Sequence, residues 1–172
     1  MARLSSGLIV SILGESHKPL LAGFDCGNSD SNDFVKNDVF KYQAKRLGVS
    51  YVLQNQEGKV VSIITLAAGA IALADTRALD LGITDRIGKL PALKIGRLCT
   101  HKDFQRQGNG AQLIDVATGI ALKIGREIGC FCLLVDSKIS AINFYRKLGF
   151  DTVYEDITGR TSVPMYVMLP PE

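Results

Sequence analysis

The chain of 172 residues is poor in the patterns that hold metals. Its only histidines, His17 and His101, stand alone, and its four cysteines, Cys26, Cys99, Cys130 and Cys132, form no CxxC pair, so no metal site is expected. Cys130 and Cys132 fall on one face of an expected strand, where adjacent thiols rarely bridge, and all four cysteines read as small core residues. Long apolar runs are missing as well. The run from Leu8 to Leu13 is short and is followed by Glu15, His17 and Lys18, which argues against a signal peptide or membrane span and leaves a cytoplasmic location as the default. An excess of one charge is also lacking: 20 Lys and Arg against 17 Asp and Glu give +3, which suits an anionic ligand but does not indicate nucleic acid. No repeat or long polar tract suggests a solenoid or disorder, and the length fits one ordinary domain with a core of its own.

What is present is an alternation of strand and helix signals. An apolar strand is expected near Ile9 to Leu13. A helix is expected over Ser31 to Leu47, with Phe34, Val35, Phe40, Ala44 and Leu47 near helical spacing and Gly48 as its stop. The β-rich runs Ser50 to Gln54 and Val60 to Leu66, joined through Glu57, Gly58 and Lys59, predict an antiparallel hairpin. Ala74 to Lys89 reads as a short helix and a loop, and Ala92 to Thr100 as a strand. A long helix from Gly108 to Ile128 is expected to bury Leu113, Ile114, Ala117, Ile120, Ala121, Ile124 and Ile128, with Gly129 ending it. Cys130 to Val135 suits a buried strand, Ser140 to Leu148 a helix stopped by Gly149, and Met165 to Leu169 a last strand. The order implies an α/β or α+β sheet carrying helices, mixed because of the early hairpin, with no linker dividing the chain.

Gln105-Arg106-Gln107-Gly108-Asn109-Gly110-Ala111 lies between an expected strand and the long amphipathic helix. Helix starts leave backbone N–H groups unpaired, and Gly108 and Gly110 remove β-carbons that would obstruct an approaching phosphate, so this turn is a candidate anion site to which Arg106 could add charge. Leu113 occupies the third glycine position of a Rossmann GxGxxG, and no Walker GxxxxGK is present, so neither common nucleotide fold fits.

Gln105 to Gly110 resembles the acetyl-CoA pyrophosphate motif of the GNAT N-acetyltransferases, Gln or Arg, any two, Gly, any, Gly or Ala. Ala141-Ile142-Asn143-Phe144-Tyr145-Arg146-Lys147-Leu148-Gly149-Phe150 is similar to the family's A-x-x-x-Y-x-x-x-G-F helix and comes after it in the expected order. The resemblance covers about Pro91 to Phe150 well and the first half loosely. It implies one acetyltransferase domain over residues 1–172, with a mixed, mostly antiparallel sheet, a splayed central parallel strand pair, and helices on both faces. It implies acetyl-CoA as co-substrate, with the backbone of Leu98, Cys99 and Thr100 along the pantetheine arm and Gln105, Arg106, Gln107, Gly108, Asn109, Gly110 and Ala111 around the pyrophosphate.

In the same terms Tyr145 stands where the family places a tyrosine near the CoA sulfur. Its phenol, with an ordinary pKa near ~10, could protonate the leaving thiolate; the alternative is a ring packed on the sheet. The resemblance implies an oxyanion donor at the backbone N–H of Leu98 or Cys99. No Glu or Asp lies between Leu93 and Thr100 to serve as the base many family members carry. Lys138 replaces a frequent family asparagine. Asn143 is the candidate substitute, against a merely solvent-facing role. Arg97 is expected to be a surface or ion-paired residue, with contact to a substrate anion as the other reading.

Phe24-Asp25-Cys26-Gly27, the next helix through Gln43, the hairpin, Leu133 to Asp136 and Pro164-Met165 resemble the GNAT toxins of toxin–antitoxin pairs, which acetylate the amino group of aminoacyl-tRNA. That resemblance implies tRNA and an antitoxin as partners, and homodimers are common in the family. An esterified α-amino group is substantially neutral near pH 7, which suits the missing carboxylate base. The basic residues are interspersed with acids rather than clustered. Two readings therefore stay open beside the toxin: a small-molecule or protein N-acetyltransferase, and a non-catalytic acyl-CoA-binding module.

Overall fold

The computed structural model describes residues 2–4, 7–72 and 88–171. In chain order the elements are strands β1 (Ala2–Arg3) and β2 (Ile9–Ile12), helices α1 (Lys18–Leu21), α2 (Ser29–Asp33) and α3 (Val39–Ala44), and strands β3 (Val49–Gln54), β4 (Val60–Ala72) and β5 (Lys89–Thr100). Helix α4 (Asn109–Ile128), strand β6 (Cys132–Lys138), helix α5 (Ile142–Lys147), and strands β7 (Asp151–Thr152) and β8 (Ser162–Met168) complete the chain. The expectation for Ala74 to Lys89 lies outside the described residues apart from Gly88 and Lys89, the latter opening β5. Two compact units are distinguished, residues 1–67 with 96–115 and residues 68–95 with 116–172; β4, β5 and α4 each contribute to both. The strand order is β1-β2-β3-β4-β5-β6-β8-β7.

In the first unit β2, β3 and β4 form an antiparallel meander, with Val10 opposite Leu53 and Val52 opposite Ile63. The expected hairpin forms because Asn55 organises its turn. The Asn55 side-chain oxygen accepts from the amides of Glu57 and Lys59, and Gly58 takes the left-handed φ of 78° that the reversal requires. Leu13, Leu21, Phe24, Phe34, Val35, Val39, Val52, Val60, Ile63 and Cys99 pack together as the core of this unit.

The helix expected over Ser31 to Leu47 is interrupted. Asn28 caps α2 by accepting from the Ser31 amide at 3.0 Å, but Phe34–Asp38 form a π-helical turn before α3. The Val39 amide reaches back to the Phe34 carbonyl, five residues away. This widened turn advances the buried face by one position, so Phe34, Val35 and Val39 enter the core, while Leu47 is 51% exposed and Ala44 is exposed as well. A uniform period of 3.6 cannot foresee that shift.

In the second unit β5 and β6 run parallel, Ala92 opposite Cys132 through Ile95 opposite Val135. β6 pairs antiparallel with β8 along its whole length, and β8 carries β7 on its other edge. The sheet is therefore mixed and mostly antiparallel with one parallel pair. The register between β5 and β6 ends at Ile95 and Val135, yet both strands run on, β5 to Thr100 and β6 to Lys138. Ile71, Leu90, Ala92, Cys132, Leu134 and Tyr166 form the core of this unit.

Helix α4 starts within one residue of the expected position and buries Leu113, Ile114, Ala117 and Ala121, an i, i+1, i+4, i+8 stripe. Ile120 and Ile124 are only partly covered, and Ile128 is 82% exposed, because the stripe has rotated off the core by the last turn. Two of the cysteines also depart from expectation. Cys130 and Cys26 are partly exposed rather than core residues, and Cys130 precedes β6 instead of sharing a strand face with Cys132. Among the described residues no metal-binding cluster occurs, and no helix is long and apolar enough to cross a membrane.

Leu113→Ala is expected to cost about 2–5 kcal/mol of unfolding free energy, since Leu113 is fully enclosed, whereas Ile128→Ala should stay within about 0.5 kcal/mol. Denaturant titration of both variants measures the difference.

Candidate active site

The sequence-selected residues occur as two groups, one in each unit: Leu98 to Thr100 with Gln105 to Ala111 in the first, and Asn143 with Tyr145 in the second. At the end of β5, Cys99 points into the core with 5% exposure while Leu98 and Thr100 are half-buried. Thr100 is held to β4 by a 2.6 Å hydrogen bond between its hydroxyl and that of the fully buried Ser62. The next residue, His101, donates its amide to the Val61 carbonyl at 2.9 Å, and its ring packs edge-on against Phe24. The strand is thus pinned up to its last residue before the chain turns.

Between β5 and α4 the chain forms a 3-10 turn over Lys102–Phe104, then passes Arg106 with φ of 61° and Gly108 with φ of 80°. A left-handed conformation costs a non-glycine residue roughly 1–2 kcal/mol, so Arg106 is held there by its neighbours. Those neighbours tie down every amide side chain of the turn. Gln105 donates through Nε2 to the carbonyls of Cys26 (2.9 Å) and Thr100 (3.1 Å), Gln107 to that of Asp103 (3.2 Å), and the buried Asn109 to that of Phe104 (2.8 Å). With the side chains committed to the frame, main-chain N–H groups are what the turn has to offer. The first intrahelical bond runs from the Gln112 amide to the Gly108 carbonyl at 3.1 Å, so Asn109, Gly110 and Ala111 come before the helix's own donors are used. A β-carbon at Gly108 would meet open space, and the Arg106 side chain is exposed beside it. This is the geometry of a candidate anion cradle, at the positive dipole end of α4.

Sequence reasoning did not foresee what holds the cradle. The segment Phe24 to Asn28 is lashed to it by the Lys102 amide donating to the Asp25 carbonyl at 2.8 Å, by the Lys102 Nζ to Asp25 ion pair at 3.0 Å, and by the Gln105 bond to Cys26. The Gly27 amide, then Lys102 and Asn32, hold the Asp25 carboxyl well below the ordinary carboxylate range. No local signal could reveal contacts between residues 79 apart in sequence; the Asp-Cys-Gly-Asn composition gives away only the turn. The Cys26 thiol donates to the Asn28 carbonyl at 3.8 Å, and the influence of the Cys99 thiol, outweighing desolvation, brings the Cys26 thiol down to about 6. The Cys26 thiol and burial push the Cys99 thiol up.

In the second group, Tyr145 is 6% exposed, with its ring edge-on to Phe144 at 5.0 Å and Phe150 at 5.3 Å between centroids. The Phe150 amide donates to the Tyr145 carbonyl and the Gly149 amide to that of Arg146, with Gly149 at φ of 84°. These paired bonds and the Tyr145–Phe150 contact form a Schellman cap, which explains why the glycine and the phenylalanine come after the tyrosine at this spacing. Asn143 is exposed on α5. Arg97 is paired: it bonds Asp30 at 2.6 Å and lies over the Phe34 ring. Lys41, Lys59, Lys94 and Lys102 likewise sit in ion pairs with acids, in keeping with the interspersed charges of the sequence.

Gly108→Ala is expected to destabilise the protein by about 1–2 kcal/mol through its backbone alone, because the added methyl meets no atom. Thermal or denaturant unfolding reads it. Alkylation of Cys26 by iodoacetamide should reach half its plateau rate near pH 6, well below the range of an unperturbed thiol; mass spectrometry of the labelled peptide across pH measures this.

Comparison with known proteins shows relatives of the same fold. The chain aligns with solved structures described as AtaT complexed with acetyl-methionyl-tRNAfMet (22% identity, 94% of each chain, TM-score 0.80) and AtaTR bound with AcCoA (23%, 94% of each chain, TM-score 0.77). It also aligns with a tyrosine-to-phenylalanine mutant of KacT (20%, 94% of this chain and 95% of that one, TM-score 0.82). The acetyltransferase (GNAT) domain model matches residues 47–152, more than half of the chain and the whole stretch from the hairpin through both motifs, and the protein accordingly belongs to the GNAT acetyltransferase family.

Proposed function

We propose that the chain, acting as one acetyltransferase domain, transfers the acetyl group of acetyl-CoA to the α-amino group of an aminoacyl-tRNA, as the toxin of a toxin–antitoxin pair. The observation that carries the donor side is the turn between β5 and α4, whose side-chain amides are all spent on its own frame while its main-chain N–H groups remain for a pyrophosphate. The acceptor rests on likeness over 94% of the chain to AtaT, whose solved complex carries acetyl-methionyl-tRNA, and to structures of AtaT with the antitoxin AtaR.

Main-chain groups of Leu98, Cys99 and Thr100 hold the pantetheine arm, and residues Gln105 to Ala111 the pyrophosphate. The neutral amine attacks the thioester carbonyl, and the N–H of Leu98 or Cys99 stabilises the oxyanion. As the C–S bond breaks, Tyr145 gives its phenolic proton to the thiolate. No carboxylate base is required of β5 to deprotonate the nucleophile, because an esterified amino acid offers an amine already substantially neutral near pH 7; the proton that the attacking nitrogen sheds passes to water, and water reprotonates Tyr145. Asn143, exposed on α5, is an auxiliary contact to the cofactor in this scheme. An antitoxin and a second copy of the chain are the protein partners it implies.

Incubation with labelled acetyl-CoA against separate pools of aminoacyl-tRNA, peptides and small amines tests the proposal. Label is expected on the aminoacyl-tRNA; label confined to small amines or peptides would replace the toxin reading by a general N-acetyltransferase. Tyr145→Phe is expected to lower kcat by roughly 10²-fold or more with little change in KM for acetyl-CoA, and an unchanged kcat across pH would remove the acid role from Tyr145.

A further inference from the structure

One densely bonded polar group of the first unit has no part in the mechanism above. Asp25 lies on the loop between α1 and α2, and its carboxylate takes three donors. Oδ1 accepts from the Gly27 amide at 2.9 Å and from Asn32 Nδ2 at 2.8 Å, and Oδ2 pairs with Lys102 Nζ at 3.0 Å. The first two bonds fold the loop on itself, with Gly27 at a left-handed φ of 78° and the Cys26 amide donating to Asn32 Oδ1 at 2.9 Å. Folded so, the loop offers the carbonyls of Asp25 and Cys26 to the segment after β5, where the Lys102 amide and Gln105 Nε2 donate to them at 2.8 and 2.9 Å. Gln105 Nε2 also reaches the Thr100 carbonyl at 3.1 Å, so one side chain joins the loop, the end of β5 and the start of the turn. Held well below the ordinary carboxylate range, chiefly by the Gly27 amide, the Asp25 carboxyl stays an acceptor at any working pH.

These bonds are unequal. Lys102 Nζ and Asp25 form a solvent-facing ion pair, with side chains 59% and 36% exposed, and such a pair contributes little by itself. The folding of the loop by Gly27 and Asn32, and the two bonds from Gln105, carry the fastening instead. Arg106 directly follows Gln105 and keeps a left-handed φ of 61°, which a non-glycine residue holds only under constraint from its surroundings.

We propose that Asp25 and Gln105 are positioning residues for the acetyl donor: acting through the loop, they hold the turn in the shape that presents its main-chain N–H groups to a pyrophosphate. The kinetic consequence rests on the proposed function, in which that turn binds acetyl-CoA. The pyrophosphate is remote from the thioester and is gripped alike before and during transfer, so a slackened turn loses uniform binding. KM for acetyl-CoA then rises while kcat holds. A loss of folded protein gives the opposite pattern, a lower kcat at unchanged KM.

Asp25→Ala removes the acceptor that folds the loop, and Gln105→Glu keeps the size of the side chain but replaces its donor by a second oxygen. Both variants are tested in the full chain. Limited trypsin digestion without acetyl-CoA, followed by mass spectrometry, reads cleavage after Arg106, which is exposed within the turn. Faster cleavage there, at a Tm close to that of the wild type, is expected in both. Calorimetric titration with acetyl-CoA is expected to give a Kd raised roughly tenfold, about the worth of one or two hydrogen bonds. In transfer to aminoacyl-tRNA, KM for acetyl-CoA should rise in step, with kcat within about twofold. Asp25→Asn keeps an acceptor oxygen for Gly27 and Asn32 and should recover most of the affinity. Unchanged cleavage after Arg106 in both variants would overturn the fastening. Faster cleavage with an unchanged Kd, or a fall in kcat at unchanged KM, would overturn the positioning role and leave the proposed function in place. Wild-type protein that binds no acetyl-CoA would overturn the proposed function and the positioning role together, a failure visible before any variant is made.

Discussion

Strand β5 has to serve two partners and then let one of them go. Along Ala92–Ile95 it is paired with β6, and past Ile95 that register stops while β6 continues with β8 alone. From there to the cradle the chain relies on its other edge: the Thr100 hydroxyl on Ser62 and the His101 amide on Val61 keep the strand on β4 to its end. Because that end is fixed, the 3-10 turn, the two left-handed residues and the first turn of α4 are placed in sequence from a rigid origin. A cradle built of backbone amides works only from such an origin, since its donors have no side-chain freedom with which to correct a misplacement.

The frame of the cradle comes from far away in sequence. Gln105, which the family motif presents as part of the pyrophosphate site, spends its amide nitrogen on Cys26 and Thr100, and Asn109 spends its own on Phe104. The amide side chains of the motif, on Gln105, Gln107 and Asn109, are structural in this chain. Asp25 plays the matching part from the other side, through the Gly27 and Asn32 donors and Lys102. Loop, turn and strand end therefore form one unit of local order, each part of which would be a loose segment without the others.

Elements that depend on local period and punctuation are legible in the sequence. The hairpin, β5, α4 and the order of the two motifs follow from alternation, from the Leu113 to Ala121 stripe, and from Gly58, Gly129 and Gly149. The π turn at Phe34–Asp38 is not, because one inserted residue shifts the phase without changing composition, so a regular helical period puts Ala44 and Leu47 on the face that Val39 occupies. Ile128 misleads for the opposite reason: its spacing is right, but the last turn leaves it uncovered. For the candidate site, motifs locate the turn and the tyrosine helix, while the fastening of Cys26 to Gln105 and of Asp25 to Lys102 joins segments whose separation hides them from any local reading.

The Schellman cap at the end of α5 bears on how Tyr145 is held. The bonds that close the helix are made by the carbonyls of Tyr145 and Arg146 and by the amides of Gly149 and Phe150, none of which belongs to the phenol. Ring packing on Phe144 and Phe150 is likewise a property of the aromatic face. The helix cap and the ring packing therefore draw on atoms of Tyr145 other than the phenolic oxygen, so these contacts hold the end of α5 in place whatever chemistry the oxygen is given.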